Sequence, residues 1–241
     1  MLRVHSIETF GTHEGPGIRL VVFLQGCNFK CLYCHNPDTQ DIRGGYSLPF
    51  KKIVEMAQEQ EHYFHEKGGI TVSGGEPLLQ AKKLAAFFKS LNKRKIHTVL
   101  DTNGSILDGQ VKELLKYTDL VLLDVKHIDP ASHQKLTAVG NKNVLAFASY
   151  LKKIKKPMWL RYVLVPGLTD QSMFLHDFGR YFKTFANIER LEILPYHKMG
   201  VYKYKELERK YELAKTPLPD EKTKNNAKKI LKLYFSEVHL R

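Results

Sequence analysis

Apolar positions along the chain alternate between two periods. Ile18-Arg19-Leu20-Val21-Val22-Phe23 is a short run dense in β-branched and aromatic residues, the composition of a buried strand. Ile70-Thr71-Val72, Ile96-His97-Thr98-Val99-Leu100, Leu120-Val121-Leu122-Leu123, Met158 to Val165 and Leu191-Glu192-Ile193-Leu194 repeat it. Between these runs the spacing becomes helical. Phe50, Ile53, Val54 and Ala57 fall at i, i+3, i+4 and i+7, with Ser47 as candidate N-cap before a helix from Pro49. Leu78, Leu84, Phe87, Phe88 and Leu91 mark a second helix, and Val111, Leu114 and Leu115 a short third. Residues 142–155 and 172–185 read as two more, and a lysine-rich helix follows Pro217 and Pro219. Residues 1–10 read as a polar opening, Gly11 to Gly17 as a glycine-rich loop, and residues 37–47 as irregular.

Strands starting near residues 18, 70, 96, 120, 158 and 190, each followed by a turn and a helix, predict a parallel sheet with crossover helices. Six strands are too few for the closed eight-stranded barrel, so the expected fold is α/β, a partial (β/α)6 TIM-like barrel. The polar motifs Cys27 to Cys34, Ser73 to Glu76, Asp101 to Asn103, Asp124 to Lys126, Arg161 and His197 fall at or just past the C-terminal ends of the predicted strands. Parallel α/β folds place their sites on that face. No linker composition divides the chain. A single domain over 1–241 is expected, with residues 200–241 as a C-terminal extension on the same body.

Composition narrows the class without naming a function. Hydrophobic residues at 43% and charged residues at 26% are those of a globular protein and exclude disordered and collagen-like chains. No apolar run approaches the roughly 18 residues needed to span a bilayer, and Met1-Leu2-Arg3-Val4-His5-Ser6 lacks the apolar core of a signal peptide. A cytoplasmic protein acting away from membranes is expected. The formal charge of +13 is nearly all C-terminal: residues 1–140 hold 17 Lys and Arg against 15 Asp and Glu, residues 141–241 hold 21 against 10. Paired lysines on predicted helices are ordinarily a solvated face, and no nucleic-acid-binding motif is present. An acidic redox partner is the association that this charge suits.

The cysteines change the picture most. Cys27, Cys31 and Cys34 are all the cysteine in the chain, spaced C-x3-C-x2-C. Three thiolates from one loop suit the soft metals, iron–sulfur clusters and zinc. A 4Fe–4S cluster normally takes four cysteines, so three leave one iron open to a small molecule. Three other readings compete. Cysteine is often a small buried hydrophobe, but Asn28, Lys30 and His35 make this loop polar. A disulfide would strand the third thiol. Structural zinc on Cys27, Cys31, Cys34 and His35 is an accepted Cys3His set, although Cys34 and His35 are adjacent and diverge.

These residues resemble a known family. Cys27-x3-Cys31-x2-Cys34 with Tyr33 before the last cysteine, followed one βα unit later by Gly74-Gly75-Glu76, is similar to the radical S-adenosylmethionine (SAM) enzymes. Gly15-Pro16-Gly17-Ile18-Arg19, Asp101-Thr102-Asn103-Gly104, Leu123-Asp124-Val125-Lys126, Arg161-Tyr162-Val163 and Leu194-Pro195-Tyr196-His197 extend the resemblance to the activating enzymes of glycyl radical enzymes. The absence of further cysteines favours the pyruvate formate-lyase branch. The resemblance implies a radical SAM fold and a 4Fe–4S cluster on Cys27, Cys31 and Cys34. It further implies SAM cleaved to methionine and a 5′-deoxyadenosyl radical, and a glycine loop of pyruvate formate-lyase as substrate. It implies adenine recognition by the backbone of Tyr33, Cys34 and His35, and contact of Gly74, Gly75 and Glu76 with the methionyl amine. Asp101, Asp124, Val125, Lys126, Arg161 and His197 would line the cofactor pocket, with Lys126 toward the methionyl carboxylate. His13, Glu14 and Asn36 would flank the mouth where the glycine loop enters. The electron donor would be reduced flavodoxin or ferredoxin, and the chain a monomer.

Overall fold

The structure, a computed structural model, describes all 241 residues and divides into two compact units. The first comprises Met1–Asn28 with Asp38–Leu122, the second Phe29–Pro37 with Leu123–Arg241. Neither the crossings in the cysteine stretch nor the one after Leu122 falls in a linker of biased composition, and the latter lies inside a strand.

In the first unit the elements run β1 (Leu2–Gly11), β2 (Arg19–Leu24), β3 (Tyr46–Leu48), α1 (Phe50–Glu59), α2 (Glu61–Phe64), β4 (Gly69–Gly74), α3 (Ala81–Asn92), β5 (His97–Thr102), α4 (Gly109–Lys116) and β6 (Leu120–Asp124). Strand order is β3-β1-β2-β4-β5-β6. β2, β4 and β5 are parallel, in register from Arg19 against Gly69 and Gly69 against His97. β1 joins antiparallel to β2 and β3. The opening stretch, which the sequence marks only as polar, is therefore a strand. β3 covers only Leu2 to Val4, so most of β1 is an exposed edge, and only Leu2, Val4 and Gly11 of the strand are buried. Ser47 is not the N-cap expected for α1. It sits in β3 opposite Arg3, its backbone in a ladder, and Pro49 occupies the N-cap with no side-chain bond. The apolar stripe of α1 buries Ile53, Val54 and Ala57 as the spacing requires.

Arg19, inside the apolar run of β2, is completely buried. Its guanidinium donates to the Thr71 hydroxyl (2.6 Å) and to the carbonyls of Pro16 (2.8 Å), Lys67 (3.1 Å), Ile70 (2.9 Å) and His97 (3.1 Å). Burial pulls its pKa down to about 9, with Asp119 and Glu14 opposing. One side chain thus ties the glycine-rich loop before β2 to the starts of β4 and β5.

The second unit contains α5 (Pro130–Thr137), α6 (Lys142–Lys153), β7 (Met158–Leu164), α7 (Ser172–Phe182), β8 (Ile188–Pro195), α8 (Val201–Glu206), α9 (Glu221–Leu231) and β9 (Val238–Leu240). β7, β8 and β9 are parallel and ordered as numbered. Tyr162, Phe178, Phe182 and Phe235 pack ring against ring behind them. Asp129 and Asp220 cap α5 and α9, accepting from the amides of Ser132 and Thr223. α5 escapes a periodicity reading because its buried face is His133, Leu136 and Thr137, only one of them apolar. β9 escapes because it has three residues. No helix is long and apolar enough to cross a membrane.

Replacing Arg19 by Met keeps the bulk but leaves several buried acceptors unpaired, each loss costing about 1–3 kcal/mol. We expect Arg19→Met to lower unfolding stability by about 3 kcal/mol or more, measured by urea denaturation under reducing conditions.

Candidate functional site

In the first unit, β4 delivers the chain into Gly74-Gly75-Glu76. Gly74 has φ +108°, and a Cβ on Gly75 would stand 2.1 Å from the carbonyl oxygen of Gly26. Only glycine tolerates that approach. The Gly75 amide donates to the Leu24 carbonyl (2.9 Å), the Glu76 amide to the Gly26 carbonyl (2.7 Å), and the Gly26 amide to the Thr39 carbonyl (2.8 Å). The glycine turn therefore fixes the backbone that enters the cysteine stretch.

Glu76 is fully buried. Its Oε1 accepts from the Thr102 hydroxyl (2.6 Å) and the Leu78 amide (2.9 Å), its Oε2 from the Asn103 amide (2.8 Å). The carboxylate caps the 3-10 turn Pro77–Gln80 and ties the end of β4 to the end of β5. Burial raises its pKa to about 7 against these hydrogen bonds, with Asp101 adding to the rise. Ser73 donates to Asp101 Oδ2 (2.6 Å). Asn103 donates to Asn28 Oδ1 (3.2 Å) and Asn28 to the Ser105 hydroxyl (2.8 Å), so the neighbour of Cys27 is held by the loop after β5.

In the second unit, Lys30 and Leu32 donate backbone N–H to the carbonyls of Thr137 (2.9 Å) and Leu136 (2.9 Å) at the end of α5, and the Cys34 amide bonds the Cys31 carbonyl (3.1 Å). Burial pushes the Cys31 thiol up to about 12, with the Lys126 charge opposing. Lys126 is paired with Asp124 (2.8 Å) and lies 5.7 Å from the Tyr33 ring centre. Burial lowers the pKa of Lys126, but Asp124, Tyr33 and Cys31 outweigh it and hold the ammonium well above its ordinary value. Val125 is buried, its amide on the Arg161 carbonyl (3.2 Å). Arg161 Nε donates to Glu192 Oε2 (3.1 Å), and Arg190 (3.8 Å) and Arg241 (2.6 Å) face Oε1 of the same fully buried carboxylate. The rings of His35 and His197 stack with centres 3.9 Å apart, and His35 Nε2 lies 3.1 Å from the His197 carbonyl. Burial lowers the pKa of both, and for His35 the neighbouring His197 adds to it.

Cys27, Cys31 and Cys34 are half-buried and form no disulfide. As the side chains stand, no three His, Cys, Asp or Glu groups are gathered to hold an ion, so the fit to a cluster rests on donor chemistry. Three soft ligands in one stretch, a half-buried ammonium among Cys31, Tyr33 and Asp124, and a buried Tyr33 hydroxyl with no hydrogen-bond partner suit an anionic cluster with a polar ligand. His35, the fourth ligand of the zinc alternative, is turned to His197 instead. Sequence reasoning missed Gly200, Lys203 and Tyr204, which lie against residues 34–36. The tyrosines of that region are visible in the sequence, but nothing local says what they pack on.

The profile of the radical SAM superfamily matches residues 21–177. The chain is 40% identical to the pyruvate formate-lyase 1-activating enzyme of Escherichia coli K12, over 98% of this chain and 97% of that one. It is 46% identical to the pyruvate formate-lyase-activating enzyme of Streptococcus mutans, over 95% and 90%. Among solved structures, a domain of pyruvate-formate lyase-activating enzyme from Bacteroides vulgatus aligns with a TM-score of 0.61 at 24% identity, covering 72% of this chain and 99% of that one. Streptococcus suis SuiB aligns with a TM-score of 0.70 at 16% identity, covering 98% of this chain and 50% of that one. The mostly parallel α/β fold is thus the expected one, and the chain belongs to the radical SAM superfamily, enzymes that use a 4Fe–4S cluster and SAM. Within it, the near-full-length relatives place the chain in the family of pyruvate formate-lyase activating enzymes.

The pKa of Glu76 gives a pH signature. Its folded value of about 7 lies above the ordinary 4.5, so the folded chain keeps a proton that the unfolded chain releases between those values. The contribution is fully present below pH 4.5 and is lost as pH rises through 7. We expect Glu76→Gln to flatten the fall in stability across that window, a slope of at most about 1.4 kcal/mol per pH unit, measured by urea unfolding at a series of pH values.

Proposed function

We propose that this chain activates pyruvate formate-lyase by generating a glycyl radical on it. The observation that carries the reading is the relationship to activating enzymes along nearly the whole chain. One-electron reductive cleavage of the SAM sulfonium, giving methionine and a 5′-deoxyadenosyl radical that takes hydrogen from the glycine, is the chemistry these cofactors supply. The protein's part is to bind, orient and exclude competing reactions. Cys27, Cys31 and Cys34 would hold the cluster within a single domain spanning 1–241. Lys126, now paired with Asp124, would supply a half-buried ammonium for the methionyl carboxylate, and would release Asp124 for a hydroxyl, amine or cation when it does so. Gly74 and Gly75 expose backbone without a Cβ to the methionyl amine. Arg161 and His197, with the backbone of Tyr33, Cys34 and His35, would complete the pocket, and Asp101 would assist. Glu76 would act through the brace it makes rather than by contact, since both its oxygens are engaged. A cytoplasmic monomer reduced by flavodoxin or ferredoxin fits the C-terminal excess of Lys and Arg.

Anaerobic reconstitution followed by SAM cleavage, with and without pyruvate formate-lyase, tests this. We expect methionine and 5′-deoxyadenosine, and a glycyl radical in the electron paramagnetic resonance (EPR) spectrum only when pyruvate formate-lyase is present. Cys31→Ala should take up no 4Fe–4S cluster and yield no radical. A radical formed on a different glycyl radical enzyme but not on this one would reassign the partner, and a colourless protein holding one zinc would sink the reading.

The electron donor gives a separate expectation. Exposed charges are screened beyond about 8 Å at physiological salt, so reduction by flavodoxin should slow as salt rises. Charge reversal at Lys152, Lys153, Lys155 and Lys156 and at Lys228 and Lys229 should lower the rate and flatten its salt dependence in stopped-flow measurements.

A further inference from the structure

We propose that Gly200, Lys203 and Tyr204 are positioning residues for the cluster-bearing stretch, holding the backbone from Cys34 to Asn36 in the path that lets Cys34 serve as a ligand. The inference rests on the reading of Cys27, Cys31 and Cys34 as cluster ligands. Its basis is that one short segment touches three successive residues. The Tyr204 hydroxyl donates to the Cys34 carbonyl (3.1 Å), and Lys203 Nζ donates to Asn36 Oδ1 (2.7 Å). Between them, a Cβ on Gly200 would stand 2.5 Å from the His35 carbonyl oxygen and 2.7 Å from its Cα, so the glycine is what allows the two backbones to meet.

Neighbours on a helix project about 100° apart, yet Lys203 and Tyr204 both bond this stretch, at Asn36 and at Cys34. Packing aims the Tyr204 hydroxyl. The ring is buried in a cluster with Tyr33, Tyr196, Tyr211 and Leu213, against which Cys31 and Leu32 also pack. The Tyr211 ring meets it edge-on at 4.8 Å, and Tyr196 and Tyr211 share a hydroxyl bond of 2.8 Å. With the ring held this way, its hydroxyl meets the carbonyl of Cys34. Residues 200–204 are therefore part of the cluster-bearing architecture, although they belong to the stretch that the sequence marks as an appended extension.

The test uses the full chain, reconstituted anaerobically as wild type, Tyr204→Phe, Lys203→Met, Lys203→Arg and Gly200→Ala. Measurements are iron and sulfide content, the rate of cluster bleaching by a chelator, the EPR spectrum of the reduced cluster with and without SAM, and the thermal midpoint. Phenylalanine keeps the ring packing and removes only the donor. We expect Tyr204→Phe to bleach roughly five-fold faster, the factor that corresponds to one ordinary hydrogen bond of about 1 kcal/mol, with an altered EPR spectrum and a midpoint near wild type. Lys203→Met should behave likewise, Lys203→Arg should recover toward wild type because a donor is restored, and Gly200→Ala should lose most of its iron. Bleaching and spectra equal to wild type in Tyr204→Phe and Lys203→Met overturn the proposal, as does bleaching that merely follows a lowered midpoint in every variant. If wild type itself takes up no iron, the ligand reading fails and the inference with it, an outcome the control separates from the others.

Discussion

The close approach of the Gly75 backbone to the carbonyl of Gly26 constrains the whole first unit around its strand ends. Two consecutive amides of the glycine turn are spent on the carbonyls of Leu24 and Gly26, so the end of β2 and the end of β4 move as one piece. Glu76 then extends the tie to β5 through Thr102 and Asn103, and Asn103 reaches Asn28 beside Cys27. Each link depends on the one before it. A side chain at Gly75 would part the turn from Gly26, and the carboxylate of Glu76 would lose the geometry that brings three donors to it. This unit is thus a rigid frame built from backbone and one buried acid.

The second unit uses charge where the first uses close approach. Lys126 and Asp124 satisfy each other while half-buried, and an ion pair of that kind brings little net stability because desolvation offsets much of the attraction. The pair fixes an ammonium just past the end of β6. The unpartnered Tyr33 hydroxyl beside it carries a standing cost of about 1–3 kcal/mol, a cost that natural structures keep where a ligand relieves it.

Much of this was legible beforehand. The parallel strands were readable because both faces are covered, which leaves continuous apolar runs such as Leu20 to Phe23. The cysteine spacing and the glycine motif were readable because ligand number and missing side chains are properties of the chain itself. What escaped depends on partners distant in sequence. β1 hides behind polar residues because beyond Val4 it has a neighbouring strand on one side only, and Ser47 has the composition of a helix cap but is claimed by pairing with Arg3. Arg19 looked like one polar letter in an apolar run, since its acceptors come from residues 16 to 97. Tyr204 was silent because the carbonyl it serves lies 170 positions away.

The carboxylate of Glu192 couples Arg161 to a residue 80 positions further along the chain. Arg161, on β7, shares that single buried acid with Arg190 and with Arg241, which the Arg241 amide also anchors to the Ile193 carbonyl at 3.1 Å. Three guanidinium groups compete for two oxygens, so removing one redistributes the others. Substituting Arg241 therefore acts on the electrostatic environment of Arg161.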